Sequence, residues 1–107
     1  MAITVNLYYK GVNGNARKFM EEMEKSGIAD AIRAEKGNLR YNYFFPANDP
    51  ETLLLIDSWE NQEAIDAHHA SPMMTTLAAL RDKYDLHMTV ERYLSDNSDV
   101  DSEFIRK

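Results

Sequence analysis

The apolar residues of this chain change their spacing repeatedly, and the order of those changes restricts the fold more than any single motif does. Ile3, Val5, Leu7 and Tyr9 alternate with Thr4, Asn6, Tyr8 and Lys10, the period of two expected of a strand. After a turn holding Gly11 and Gly14, apolar residues recur at Ala16, Phe19, Met20 and Met23, one face of a helix. Asn15 is expected as its N-cap and Gly27 as its stop. A short further helical turn carries Ile28, Ala31 and Ile32 and ends at Gly37. Leu39 to Phe45 and Thr52 to Trp59 read as strands, separated by the turn residues Asn48-Asp49-Pro50. Two helical segments follow, one from near Asn61 and one capped by Ser71 with Pro72 at its first position. Leu86 to Leu94 reads as the last strand. This order, β-α-β-β-α-β, predicts an α+β, ferredoxin-like fold: a four-stranded antiparallel sheet with helices on one face.

Composition serves mainly to exclude. A chain of 107 residues holds one domain, here residues 1–95, followed by an acidic segment, 96–107, with Asp96, Asp99, Asp101 and Glu103. With no cysteine there is no disulfide framework, thiolate nucleophile or common zinc-finger set. A net charge of −6 argues against nucleic acid, whose binding rests on Lys and Arg contacts to phosphate. No apolar run approaches the ~18 residues of a membrane span. The opening MAITVNLYY lacks a basic leader region, so a cytoplasmic location is the default expectation.

The third strand is apolar on both sides, Leu53 and Leu55 on one and Leu54 and Ile56 on the other. A sheet with one solvated face alternates more cleanly. The face opposite the helices is therefore expected to pack against a second copy, making a homodimer; the plainer alternative is a tolerant exposed face. Residues 96–107 are expected to form either a free tail or an arm on the partner, with Phe104 and Ile105 as its apolar anchor.

The chemistry-bearing stretch runs from Asp57 to Met74. Trp59 ends the third strand in phase with Leu53, Leu55 and Asp57. On the next helix, His68 lies about 40° from Ala64, between Ala64 and Ile65 at about 100°, whereas His69 lies at about 140° on the flank. His68 thus points inward. Spacing alone allows a merely satisfied core histidine, just as a single Trp in a small domain commonly fills core.

Gly37-Asn38-Leu39-Arg40-Tyr41, Asp57-Ser58-Trp59 and the run from Ala64 through His68 to Ser71-Pro72-Met73 together resemble the antibiotic biosynthesis monooxygenase (ABM) family. The resemblance spans roughly Ile3 to Leu94. It implies a dimeric α/β barrel and a small monooxygenase, without metal, flavin or other cofactor, acting with dioxygen on a small aromatic substrate such as a quinol or anthrone. On this likeness His68 is the expected catalytic base. Trp59 and Tyr41 are expected to stack on and orient the substrate, Asn6 to offer a polar contact, and Met73 to line the pocket mouth. Many relatives carry a second histidine where Met73 stands, so a two-histidine mechanism is not expected here. Two other readings remain open at this stage. One is an isomerase of a small phosphorylated signal molecule, with Arg40 and Arg92 as the strand-borne cations. The other is a non-enzymatic dimeric binding or stress-response domain with His68 simply packed.

Overall fold

A computed structural model describes residues 1–106 of the chain; Lys107, at the end of the segment 96–107, lies outside the described residues. The elements follow in the order β1 (Ile3–Lys10), α1 (Asn15–Lys25), α2 (Ile28–Arg33), β2 (Asn38–Phe44), β3 (Thr52–Trp59), α3 (Gln62–His69), α4 (Met73–Lys83) and β4 (His87–Leu94). The strands form one four-stranded antiparallel sheet in the order β2-β3-β1-β4, the ferredoxin-like arrangement predicted from the spacing.

Alternation decides which side of each strand is covered. Leu7, Tyr9, Leu53, Leu55 and Trp59 join Phe19, Met23, Ile32 and Leu77 from the helices in one core. The other face carries Thr4, Asn6 and Tyr8 beside Ile56 and Leu54. No helix among the described residues covers it, and Phe44 and Tyr93 are exposed there. Strand β4 is exposed along its whole length, because the helices lie over the other three strands. Met88 and Val90, on the helix side of β4, therefore border open space rather than core.

Local signals fell close to their expected places, with two shifts. Asn61 caps α3, its Oδ1 accepting from Ala64 N–H at 2.9 Å. Gly14, in the left-handed region, occupies the cap of α1; Asn15 is the first helical residue and its amide donates to the Tyr84 carbonyl. Pro72 is the boundary residue of α4, while Ser71 Oγ still accepts from Met73 N–H. Strand β2 has a register irregularity between Asn38 and Arg40. Leu39 is displaced outward there, and Tyr41 comes to lie opposite Asp57 on the helix side.

Gly37 joins the two halves of the fold. Its φ of 85° lies in the left-handed region, and a Cβ there would sit 2.6 Å from the Cβ of Ala64. The loop before β2 thus rests directly on α3, and the Gly37 carbonyl accepts from Glu60 N–H at 2.8 Å. A side chain at this position meets both the backbone penalty and the helix. Gly37→Ala is expected to lower stability by roughly 1–3 kcal/mol, read from the denaturant midpoint. An unchanged midpoint would show that the loop moves off α3 freely.

Candidate functional site

Between the sheet and helices α3 and α4 lies a cavity of about 330 Å³, walled by Leu55, Asp57, Trp59, Ile65, His68 and Met74 among others and open toward β4. This is within the range of small-molecule sites. Its polar groups come from four elements, and each is placed by a local feature of the sequence.

His68 is set by α3. It is 4% exposed, and its ring lies 4.8 Å from the Trp59 ring at an interplanar angle of 30°. Its Nδ1 is 2.7 Å from Glu35 Oε1. With Glu35 ionised, Nδ1–H donates to the carboxylate, which leaves the lone pair of the ring on Nε2. Among the described residues nothing hydrogen-bonds Nε2. Glu35 reaches this ring because the loop that ends at Gly37 is pressed onto Ala64, one helical turn before His68. Nothing in the local sequence marks Glu35, which lies 33 positions from its partner; the carboxylate is found only once the loop is docked.

Asp57 faces the same cavity from β3. It is 8% exposed, forms no ion pair, and its Oδ1 has no hydrogen-bond partner among the described residues. Burial pushes its carboxyl up to about 6; the neighbouring His68 and the Trp59 indole pull the other way, and Glu35 adds to the rise. Its phase with Trp59 was legible in the sequence, but nothing there indicated that it would be left without a partner.

Tyr41, 2% exposed, lines the cavity beside Asp57. Its hydroxyl accepts from Tyr43 at 3.3 Å, and burial holds its ionisation well above the usual range. Arg81 of α4 donates through Nε and Nη2 to the Tyr9 hydroxyl. Arg92 of β4 donates to Gln62 Oε1 at the open side. His69 is exposed on the rim.

The structure therefore gathers His68, Trp59 and Tyr41 in one cavity. Two other expected residues stand elsewhere. Asn6 lies on the helix-free face, opposite Ile56 and Glu91, so the sheet separates it from His68; alternation places an even-numbered β1 residue there. Met74 rather than Met73 lines the cavity, while both are half-buried and packed against the core. The two strand arginines are also divided. Arg92 borders the cavity, while Arg40 pairs with Ser58 across β2 and β3 and lies over the Phe44 ring. Among the described residues no three His, Asp or Glu side chains gather as a metal-ligand set, and no helix is long and apolar enough to cross a membrane.

A family model described as antibiotic biosynthesis monooxygenase matches residues 2–80, which contain the helix-side cavity wall from Val5 to Met74. The chain belongs to the antibiotic biosynthesis monooxygenase family. Solved structures of the same fold include a Deinococcus radiodurans protein provisionally assigned to antibiotic biosynthesis monooxygenase activity, with 22% identity over 92% of this chain and 95% of that one, at a TM-score of 0.72. A conserved protein of Methanosarcina mazei Go1 shares 22% identity over 90% and 94% of the two chains, at 0.75. SnoaB, a cofactor-independent oxygenase of Streptomyces nogalater, shares 11% over 91% and 95%, at 0.74. At these identities the likeness establishes the fold. No curated protein matches the chain significantly.

Within this ABM domain, the buried Asp57 has a measurable cost. Its folded value lies above the ordinary 3.8, so its contribution to stability is full below that value and is lost as pH rises through about 6. The difference corresponds to about 2–3 kcal/mol. Asp57→Asn is therefore expected to be more stable than the parent at pH 8, by roughly 1–3 kcal/mol, with the advantage gone near pH 4. Equal stabilities across that range, in denaturant titrations, would show that the carboxylate is solvated.

Proposed function

We propose that the chain is a cofactor-independent monooxygenase of hydroxylated aromatic compounds. The observation that carries this reading is the Glu35–His68 pair, with its outward ring nitrogen unpartnered and the Trp59 ring alongside. The surrounding wall is largely apolar, with Leu55, Ile65, Met74 and Val90. Family membership and the shared fold with an enzyme described as a cofactor-independent oxygenase support the same chemistry.

His68 Nε2 takes the proton of a phenol, or of the carbon between two rings in an anthrone. Glu35 steadies the imidazolium that results, and the apolar wall keeps water from resolvating the anion. The electron-rich anion passes one electron to dioxygen, and the radical pair combines to form a carbon–oxygen bond. His68 returns its proton to the distal oxygen of that peroxide. The oxygen–oxygen bond breaks, one atom leaves as water, and the remaining carbon-bound hydrogen is lost as the carbonyl forms. Substrate plus dioxygen thus gives a quinone-type carbonyl plus water, with all the electrons drawn from the substrate. Trp59 and Tyr41 orient the ring plane.

Oxygen uptake with a hydroquinone or an anthrone, measured after chelation and with no flavin or haem added, tests the scheme. His68→Ala is expected to lower kcat by ~10²–10⁴-fold, and His69→Ala to change it by less than about tenfold. Glu35→Gln should lower kcat with little change in KM, because it orients the base without touching substrate. Retained turnover in His68→Ala removes the base role; turnover abolished by the chelator alone removes the cofactor-free scheme.

We also infer that the helix-free face, with Tyr8, Phe44, Leu54, Ile56 and Tyr93, seats a second copy of the chain. An apolar sheet face of this kind is unfavourable in water. Equilibrium sedimentation at micromolar concentration is expected to give a dimer, and Ile56→Lys to shift it toward monomer. A parent chain that sediments as a folded monomer would overturn the inference.

A further inference from the structure

The segment after β4 has the composition of a contact surface and is not tied to its own chain. Ser95 N–H donates to the Ala2 carbonyl at 2.9 Å, which carries the line of β4 past the end of the sheet. Beyond that bond, every hydrogen bond of residues 96–106 among the described residues closes within the segment. Asp96, Asp99, Asp101 and Glu103 have no cationic partner among the described residues. Val100, Phe104 and Ile105 are 70%, 77% and 60% exposed, although the turn at Ser102–Phe104 gives the last two a defined backbone. Large apolar side chains held in water are unfavourable. The chain is drawn out accordingly: its radius of gyration is 15.1 Å, against about 13 Å for a compact chain of this length.

The cavity has the complementary deficit. It is open toward β4, where Met88 and Val90 are 45% and 53% exposed. The groups beside them are cationic. Arg92 is held by the neutral Gln62 oxygen and Arg81 by the Tyr9 hydroxyl, and neither has a carboxylate partner among the described residues. An acidic segment that ends in two apolar side chains fits an apolar floor bordered by arginines.

The direction of the chain decides which copy supplies the segment. Met88 and Val90 lie earlier on β4 than Leu94, so a segment covering its own cavity would have to double back along the strand. The Ser95–Ala2 bond sends it the other way. The eleven residues 96–106 reach up to about 36 Å when extended, whereas stacked sheets lie about 10 Å apart. A segment from a copy packed on the helix-free face can therefore round the β4 edge. We propose that the C-terminal segment of one copy closes the open side of the other copy's cavity, with Phe104 and Ile105 on Met88 and Val90 and its carboxylates facing Arg92. This rests on the sheet-to-sheet dimer inferred above and adds that each cavity is completed by the partner copy. Closure from the partner keeps water from an anion formed inside.

The chain has no cysteine, so introduced thiols report the contact directly. Val90→Cys and Phe104→Cys chains with different tags are co-expressed and oxidised; a disulfide forms only where the two Cα atoms come within about 7 Å. The expected product is a covalent heterodimer, not seen when Phe104→Cys is paired with Lys18→Cys on the exposed side of α1. With both changes in one chain, crosslinked dimers are expected; a crosslinked monomer shows the segment closing its own cavity and overturns the proposal. Phe104→Ala combined with Ile105→Ala alters two exposed side chains. It is expected to raise the dimer dissociation constant ~10-fold or more and to increase acrylamide quenching of Trp59, the single tryptophan, which lines the cavity. No change in either readout overturns the proposal. A parent chain that sediments as a dimer but gives no crosslink sinks the arm and leaves the dimer standing, whereas a folded monomer sinks both.

Discussion

The contact between Gly37 and Ala64 and the hydrogen bond from His68 to Glu35 are two parts of one constraint, and the cavity depends on both. A backbone without a side chain at Gly37 lets the loop after α2 lie against α3. That docking carries Glu35 to within 2.7 Å of a ring one turn further along the helix. A histidine buried to this degree requires a polar partner, and a loop partner leaves the other ring nitrogen facing the cavity. Had the partner come from the sheet, the ring would have been satisfied on the cavity side and closed to a ligand.

The cavity itself follows from unequal coverage of the sheet. Helices α1 and α2 pack over β2 and β3 around Phe19, Met23 and Ile32, while β4 remains uncovered. The space left between α3, α4 and the β1–β4 side is apolar over most of its wall, yet it contains a buried carboxylate. Asp57 is disfavoured in its charged form by burial, and a methyl-bearing side chain would pack there at less cost. The fold therefore holds a costly carboxylate beside a histidine and an indole, and its burial favours the neutral form.

The opposite face of the sheet raises a separate physical problem. Leu54, Ile56, Tyr8 and Phe44 form an apolar surface that no helix among the described residues reaches. The two faces are coupled only through strand alternation, so changes on one are expected to leave the other intact. The segment after β4 contains a short turn of helix, Ser102–Phe104, and its Val100, Phe104 and Ile105 are likewise exposed.

The sequence by itself determined the order of elements, the sheet they form and the inward direction of His68, because each follows from a periodicity that local stereochemistry enforces. Trp59 and Tyr41 were legible as neighbours of that histidine through the ABM-like motif. Several features were decided only by the tertiary structure. Glu35 lies in a loop with no periodic signal and meets His68 through a contact 33 positions away. Asn6 went to the far face because its parity on β1, once the strand was paired, left no choice. Met74 took the lining place expected of Met73. Asp57 and Arg92 come from strands distant in sequence, and only the hydrogen-bonded register of β3, β1 and β4 brings them to one cavity.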